Sequence, residues 1–523
     1  MLFPFNFLGS AFDPNAQAFI SAAGITNPTQ QNAINQLVID LKTYGLWTKM
    51  KAVYPMVGGT SSSCKYNLIN PQDTDAAFRL VFNGGWTFDN NGATPNGTNG
   101  YADTKFIPSS NLVATSQSSS IYSRTNSNNG SNANVDFSAA ATGVGNFSVI
   151  AGLNYVGING FTRYGQTRDV RITTAQRLDG YFVGSRISSV SLSLYRSNVL
   201  LGFDGGAEIG ISNIAPYIGA ENNNGLANYF TNRQYCFAHI GDGLTDTDAS
   251  NLYTAVQTFQ TTLNRYVGVP IVSDANAQAF LNAAQITDIT QANAVNTLVQ
   301  GLKADGLWTK MKAVYPMVGG TASSCKYNLV NPQDTDAAFR LVFNGGWTFD
   351  NNGATPNGTN AYADTKLIPS SSLIQDSTHL SFYSRNNITT GQNTFIGSQT
   401  GATINLRMIV DYSGTSYLEV NNSYIASVGL GNFQGFFNLS RILSTQYKLF
   451  KNGSQNIPTI ISNSTTPPSY SLFISACNNS GSSFAYSNNQ CAFSTIGDGL
   501  TDTDALNLYN RVQTFQTSLS RQV

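Results

Sequence analysis

The run GLWTKMKAVYPMVGG begins at Gly45 and begins again at Gly306. Trp47 recurs as Trp308, a shift of 261 residues, and the register holds from Asp13 and Asp274 to Ser110 and Ser371. Between Gly45 and Ser110 the copies differ only at Ser61/Ala322, Ile69/Val330, Gly100/Ala361 and Phe106/Leu367. Near the end Gly241 recurs as Gly497, so copy two is a net five residues shorter in between. Solenoid units repeat every 20–50 residues or so, far less than this. A chain of 523 residues also exceeds what one hydrophobic core organises. The repeat therefore reads as a duplicated domain: residues 13–267, a linker at 268–273, and residues 274–523, with residues 1–12 ahead of both copies.

Each copy opens with two helical patterns. Asp13-Pro14 supplies an N-cap and an N1 proline, Phe19, Ile20 and Ala23 share a face, and Gly24 suits a helix end. Ile34, Leu37, Val38 and Leu41 follow the helical period until Gly45, and Val295, Leu298, Val299 and Leu302 repeat it before Gly306. The texture then becomes β, with short Val/Ile/Phe/Tyr runs between turn clusters. Each copy closes on IGDGLTDTDA and one more helix. Thr245 with Asp248, and Thr501 with Asp504, form capping-box pairs. Leu252, Val256, Phe259 and Leu263 make an apolar stripe, as do Leu508, Val512, Phe515 and Leu519. The short YVGVPIVS connection is expected to keep the domains near one another.

Three stretches carry a family resemblance: GWTFDNNGATPNGTNGYADT from Gly85, YKLFKNGSQ from Tyr447 and GDGLTDTDALNLY from Gly497. Together they resemble the concanavalin A-like jelly roll of the laminin-G-like family. Copy one has LSLYRSNVL from Leu192 where copy two has the Asn-Gly turn. The resemblance implies a mainly β chain with two concanavalin A-like jelly-roll sandwich domains, each with two N-terminal helices and one C-terminal helix. As whole domains they are similar to modules of tailed-bacteriophage virion proteins. That similarity implies a place on the virion surface after assembly in the host cytoplasm.

Composition narrows the partners. Basic and acidic residues balance at 28 each, so nothing favours nucleic acid or an anionic membrane. No stretch is long and apolar enough to span a bilayer. Cys64, Cys236, Cys325, Cys477 and Cys491 include no CxxC pair, which fits neither a zinc site nor a full disulfide framework. Cys64 and Cys325 occupy matching positions and read as buried thiols.

Glycoside hydrolysis needs two facing carboxylates, usually including Glu. The chain has Glu208, Glu221 and Glu419, with no closely spaced pair, and Glu221 is matched by Cys477 in copy two. His239 corresponds to Thr495 and His379 to Ser118, so neither histidine position is shared. No enzyme is expected, and no cofactor. In GDGLTDTD, Asp242 is followed by Gly243 and Leu244 and the twelfth position is Tyr253, which is not an EF-hand. Its acids suit a helix N-terminus. A calcium site built from distant loops would leave no such trace and stays open. Trp47, Trp86, Trp308 and Trp347 read as core packing rather than a sugar-stacking platform. Asn96 opens one of several Asn-x-Ser/Thr triplets that read as turn chemistry.

The frame is nearly identical in the two copies, whereas residues 113–233 and 374–488 have diverged strongly. A fixed scaffold carrying a changed middle is expected where the middle sets what is bound. Recombination between modules would give the same pattern. The expectation is a non-enzymatic virion surface protein, a head fibre, decoration protein or tail adhesin, which recognises host glycans and assembles as a homo-oligomer. The alternative is a secreted bacterial carbohydrate-binding or adhesin module pair. MLFPFNFLGS opens the chain with Leu2, Phe3, Phe5, Phe7 and Leu8. These are expected to anchor the protein in a capsid or fibre-base subunit.

Overall fold

The leading helices form where caps and apolar spacing place them. Asp13 accepts from the Asn15 N–H at 2.9 Å, Pro14 opens Pro14–Ala23, and Gly24 closes it at φ 63°. Asn27 caps Pro28–Thr43, which buries Ile34, Leu37, Val38 and Leu41. In copy two, Ala275–Ala284 and Ile289–Ala304 repeat the pair, with Gln285 in the left-handed position that Gly24 holds in copy one. The closing helices, Asp246–Thr262 and Asp502–Ser518, start on the expected capping boxes. The computed structural model describes residues 12–127, 134–150, 160–172, 178–207, 210–401, 403–423, 426–427 and 430–523. Contacts divide the chain into two units, Met1–Ile271 and Val272–Val523.

Each unit is a sandwich of two mainly antiparallel sheets. In the first unit, one sheet runs Val199–Asp204, Ser191–Arg196, Gly180–Ser188, Gln117–Ser123, Tyr235–Gly241, Gly92–Pro95, Trp86–Asp89. Its partner runs Val170–Ile172, Gly160–Gly165, Gly145–Ile150, Phe137–Ala141, Tyr217–Ile218, Tyr101–Asp103, Val81–Asn83. The second unit repeats this order, from Trp347–Asp350 through Cys491–Gly497 and Thr378–Ser384 in one sheet. The mainly β, two-sandwich architecture expected from the resemblance is the observed one.

Alternation along the central strand explains a third layer. In Gln117–Ser123, Ile121 faces the inter-sheet core beside Phe137, Phe147 and Phe182. Tyr122 points the other way and joins Tyr181 and Phe237 beneath Leu37, Leu252 and Phe259 of the helices. The helices thus cover the back of the first sheet. Each large aliphatic side chain buried there contributes ~1.5–3 kcal/mol. In the second unit Phe493 of the sheet meets Phe515 of the closing helix, 5.9 Å between ring centroids.

A buried arginine locks each unit. Arg265, just past the closing helix, donates to the carbonyls of Pro55 (2.6 Å), Met56 (2.8 Å) and Cys236 (2.9 Å) and to Gln260 Oε1 (2.6 Å). Arg521 repeats this on Pro316, Met317, Ala492 and Gln516. The guanidinium satisfies carbonyls that leave the sheet pattern at Met56 and Met317, both of which have positive φ.

The hairpin that lacks an Asn-Gly pair in copy one turns in the same way regardless. Ser197 and Asn198 both adopt positive φ, as do Asn452 and Gly453 in copy two. That is the pattern of a two-residue I′ turn matched to the twist of the strands.

Candidate functional site

Of the residues weighed for catalysis, Glu208 lies outside the described residues and the others are held by partners within the fold. Glu221 opens Glu221–Asn223, which pairs in parallel with Phe137–Ala141, and it accepts from Ser138 Oγ at 3.3 Å. Burial raises its pKa. Cys477 holds the same position in the second unit, paired with Gly397. All five cysteines are buried free thiols, and burial pushes Cys64 and Cys325 up to about 11.

The histidines revise the reading by position. His239 Nε2 meets Ser118 Oγ at 3.1 Å, its Nδ1 meets Ser120 Oγ at 2.5 Å, and Ser118 Oγ donates to the Asp242 carbonyl at 2.7 Å. In the second unit Ser381 meets Thr495 (2.6 Å), Thr495 meets His379 Nε2 (3.0 Å), and His379 Nδ1 meets the Asp498 carbonyl (2.6 Å). Both units therefore hold one chain of the same length, in which imidazole and hydroxyl have exchanged strands. Burial lowers His239 to about 3 and His379 to about 4, so both rings are neutral at ordinary pH.

The acids of GDGLTDTD are also occupied. Asp242 pairs with Lys51 and Asp248 with Lys49, while Asp246 accepts from Tyr195 at 2.6 Å. Asp498, Asp504 and Asp502 pair with Lys312, Lys310 and Lys448. Among the described residues no cluster of three His, Cys, Asp or Glu side chains could hold a metal ion.

The tryptophans lie between the two expectations for them. Trp86 is half-buried on the edge strand, in edge-to-face contact with Phe82, and its indole N–H donates to the Asn83 carbonyl at 3.1 Å. Trp347 repeats this with Phe343 and Asn344. Trp47 and Trp308 are likewise half-buried, under the ammonium groups of Lys42 and Lys303. They seal edges of the fold rather than fill its centre. Leu2, Phe3, Phe5, Phe7 and Leu8 lie outside the described residues.

A concave site appears where sequence reasoning had singled out nothing. On the second sheet of the first unit, Phe147 and Tyr164 face the core, so Asn146, Arg163 and Gly165 face away from it. There a trough of about 300 Å³ opens beside Ala140, Gly145 and Asn146, with Arg163, Gln166 and Asn223 along it. The pairing register sets Glu221, Ser138, Ser148 and Arg163 in one row across four strands. The Arg163 guanidinium lies 5.3 Å from the Phe161 ring centre and pairs through Nη2 with Asp169, which also binds Arg171 at 2.7 Å. Burial works against ionisation of Asp169, but hydrogen bonds from Arg171 and Arg163 outweigh it and hold its pKa low.

The second unit fills this place from within. Register aligns Ala140 with Gln399, Ser148 with Arg407 and Arg163 with Glu419. Arg407 and Glu419 form a two-pronged ion pair at 2.6 and 3.0 Å, and Gln399 Oε1 accepts from the same guanidinium. All three side chains are buried. The only sequence signal of the open site was the cationic run RYGQTRDVR from Arg163, inside a diverged segment.

No protein-family model matches the chain, and no curated protein matches it in sequence. Among solved structures, domain 4 of AbnA, a GH43 extracellular arabinanase from Geobacillus stearothermophilus in complex with arabinotriose, is 15% identical. That match covers 38% of this chain and 98% of that one at a TM-score of 0.27. Mouse laminin alpha1 domains LG4-5 are 8% identical over 75% of this chain and 86% of that one, with a TM-score of 0.21. The botulinum neurotoxin serotype D binding domain is 11% identical over 39% and 52%, with a TM-score of 0.26. The chain thus spans about half the length of that toxin domain. Scores this low carry no argument about function, and the architecture rests on the strand order itself.

Proposed function

We propose that the chain is a non-enzymatic attachment or display protein of a phage virion surface, whose first domain recognises a glycan. One observation carries the recognition part. Within two nearly identical frames, the same outer-sheet position is an open polar trough in one domain and an internally neutralised ion pair in the other. A trough of small floor residues and side-chain amides suits sugar hydroxyls, which need several oriented hydrogen bonds in a shallow cleft. The virion setting is supported by the module resemblance alone. Saccharide arrays probed with the full chain, together with a map of the assembled particle, test the two parts separately. Binding to an array and density at the particle surface are expected. Silence on every array, or absence from the particle, contradicts the corresponding part.

Catalysis is expected to be absent. Glu221, half-buried beside the site, accepts from Ser138, which in turn meets Ser148, so its described partners are hydroxyls. Incubation with capsular and cell-wall polysaccharides should release no sugar. Turnover abolished by Glu221→Gln would overturn this reading.

The apolar side chains Leu2, Phe3, Phe5, Phe7 and Leu8 fit an anchor that inserts into a capsid or fibre-base subunit, since burying each is worth ~1.5–3 kcal/mol. Deleting residues 1–9 should leave both domains folded but keep the protein off the particle. Normal incorporation of the truncated protein would exclude the anchor.

A further inference from the structure

Arg163 carries hydrogen-bond donors that the protein does not use. Its Nη2 is held by Asp169, its Nε is buried without a partner, and no acceptor among the described residues meets Nη1. The Phe161 ring and Asp169 fix the guanidinium in place. Asp169 is shared with Arg171, so two cations stand on one carboxylate and leave a surplus positive charge beside the trough. Glu221 stands three strands along the row, its backbone on the order of 14 Å away at the usual strand spacing, and its side chain is near enough for the Arg163 charge to favour its ionised form. Among the described residues no carboxylate lines the trough itself, whose polar groups include the amides of Asn146, Gln166 and Asn223 and the hydroxyls of Thr142 and Thr167. In the second domain the same row is neutral, with Arg407 at the place of Ser148 and Glu419 at that of Arg163. There the paired guanidinium takes both oxygens of Glu419, while Gln399 occupies the place of Ala140.

We infer that the trough binds a saccharide through a carboxylate group of the sugar, taken up by the Arg163 guanidinium, with the ring resting over Ala140 and Gly145. This rests on the reading of the first domain as the glycan-recognising one. The ligand's carboxylate supplies from outside the opposite charge that the second domain holds within its own row. A charge-assisted hydrogen bond from Nη1, the donor left free on the exposed side, is what holds the carboxylate.

The test is an array of uronic-acid and nonulosonic-acid oligosaccharides, each printed beside its methyl ester, with neutral saccharides included. The full chain should bind at least one acid tenfold or more above its ester. Arg163→Gln should bring acid and ester to within twofold. Ala140→Trp, which fills the trough from a side chain turned away from the core, should abolish binding while the circular dichroism spectrum and melting profile stay unchanged. Equal binding of acid and ester, or an acid preference that survives Arg163→Gln, overturns the inference and leaves glycan recognition standing. Binding to neutral saccharides only does the same. Binding to nothing on the array overturns both.

Discussion

Arg265→Leu should destabilise the first domain by about 4 kcal/mol, because it strands the carbonyls of Pro55, Met56 and Cys236 and the Gln260 side chain in a site sealed from water. Arg521→Leu should do the same in the second domain, where the donor set is repeated. Lysine retains the charge but has no fork to reach three backbone carbonyls and an amide together, so Arg265→Lys should recover less than half of the loss. Denaturant unfolding followed by tryptophan fluorescence reads the effect, since Trp47 and Trp86 report on the first domain and Trp308 and Trp347 on the second. A loss below about 1 kcal/mol for the leucine variants would show that water replaces the guanidinium.

The exchanged histidines predict strong non-additivity. His239→Thr alone should cost about 2–3 kcal/mol, through the volume removed and the bonds lost to Ser118 and Ser120. Ser118→His alone places a second imidazole in a filled site and should cost about as much. The double variant recreates the arrangement that His379 and Thr495 hold in the second domain, and should return to within about 1 kcal/mol of the parent. Additive losses in the cycle would mean that the two chains of hydrogen bonds are not equivalent. The same rings set a pH dependence. His239 titrates near 3 and His379 near 4 when folded, against 6.5 when exposed, so the unfolded chain binds more protons between these values. Their stabilising effect is complete above pH 6.5 and is lost as the pH falls toward 3, by on the order of 4 kcal/mol for His239. Stability that stays flat between pH 6.5 and 4.5 would contradict neutral burial of these rings.

How far the amino-acid pattern disclosed all this depended on the range of the interactions. The helices were legible because Asp13, Thr245 and the stripe from Ile34 to Leu41 act within a few residues of one another. The duplicated frame was legible because near-identity needs no physics. The histidine exchange was hidden because each ring's partner stands on a neighbouring strand more than a hundred residues away, and matching by position compares His239 with Thr495 alone. Arg265 carries no local signal in the sequence, since its acceptors come from Pro55, Met56 and Cys236. The trough was hidden twice over. Its floor is alanine and glycine, which announce nothing, and the correspondence of Ala140 with Gln399 exists only in the pairing register of strands whose sequences have diverged.

The account holds that the shared frame is scaffold and that the diverged outer sheet of the first domain decides what is bound. Replacing residues 374–488 by residues 113–233 would install the Arg163 trough in the second frame. The saccharide-binding stoichiometry of that chain, measured by calorimetry, tests the claim most directly. The account predicts one site per chain in the parent and two of similar affinity after the replacement. The reverse replacement, which removes residues 113–233 in favour of 374–488, should leave none. Unchanged stoichiometry in both folded chimaeras, or binding lost only on altering Trp86 or Trp347 of the frame, would contradict it.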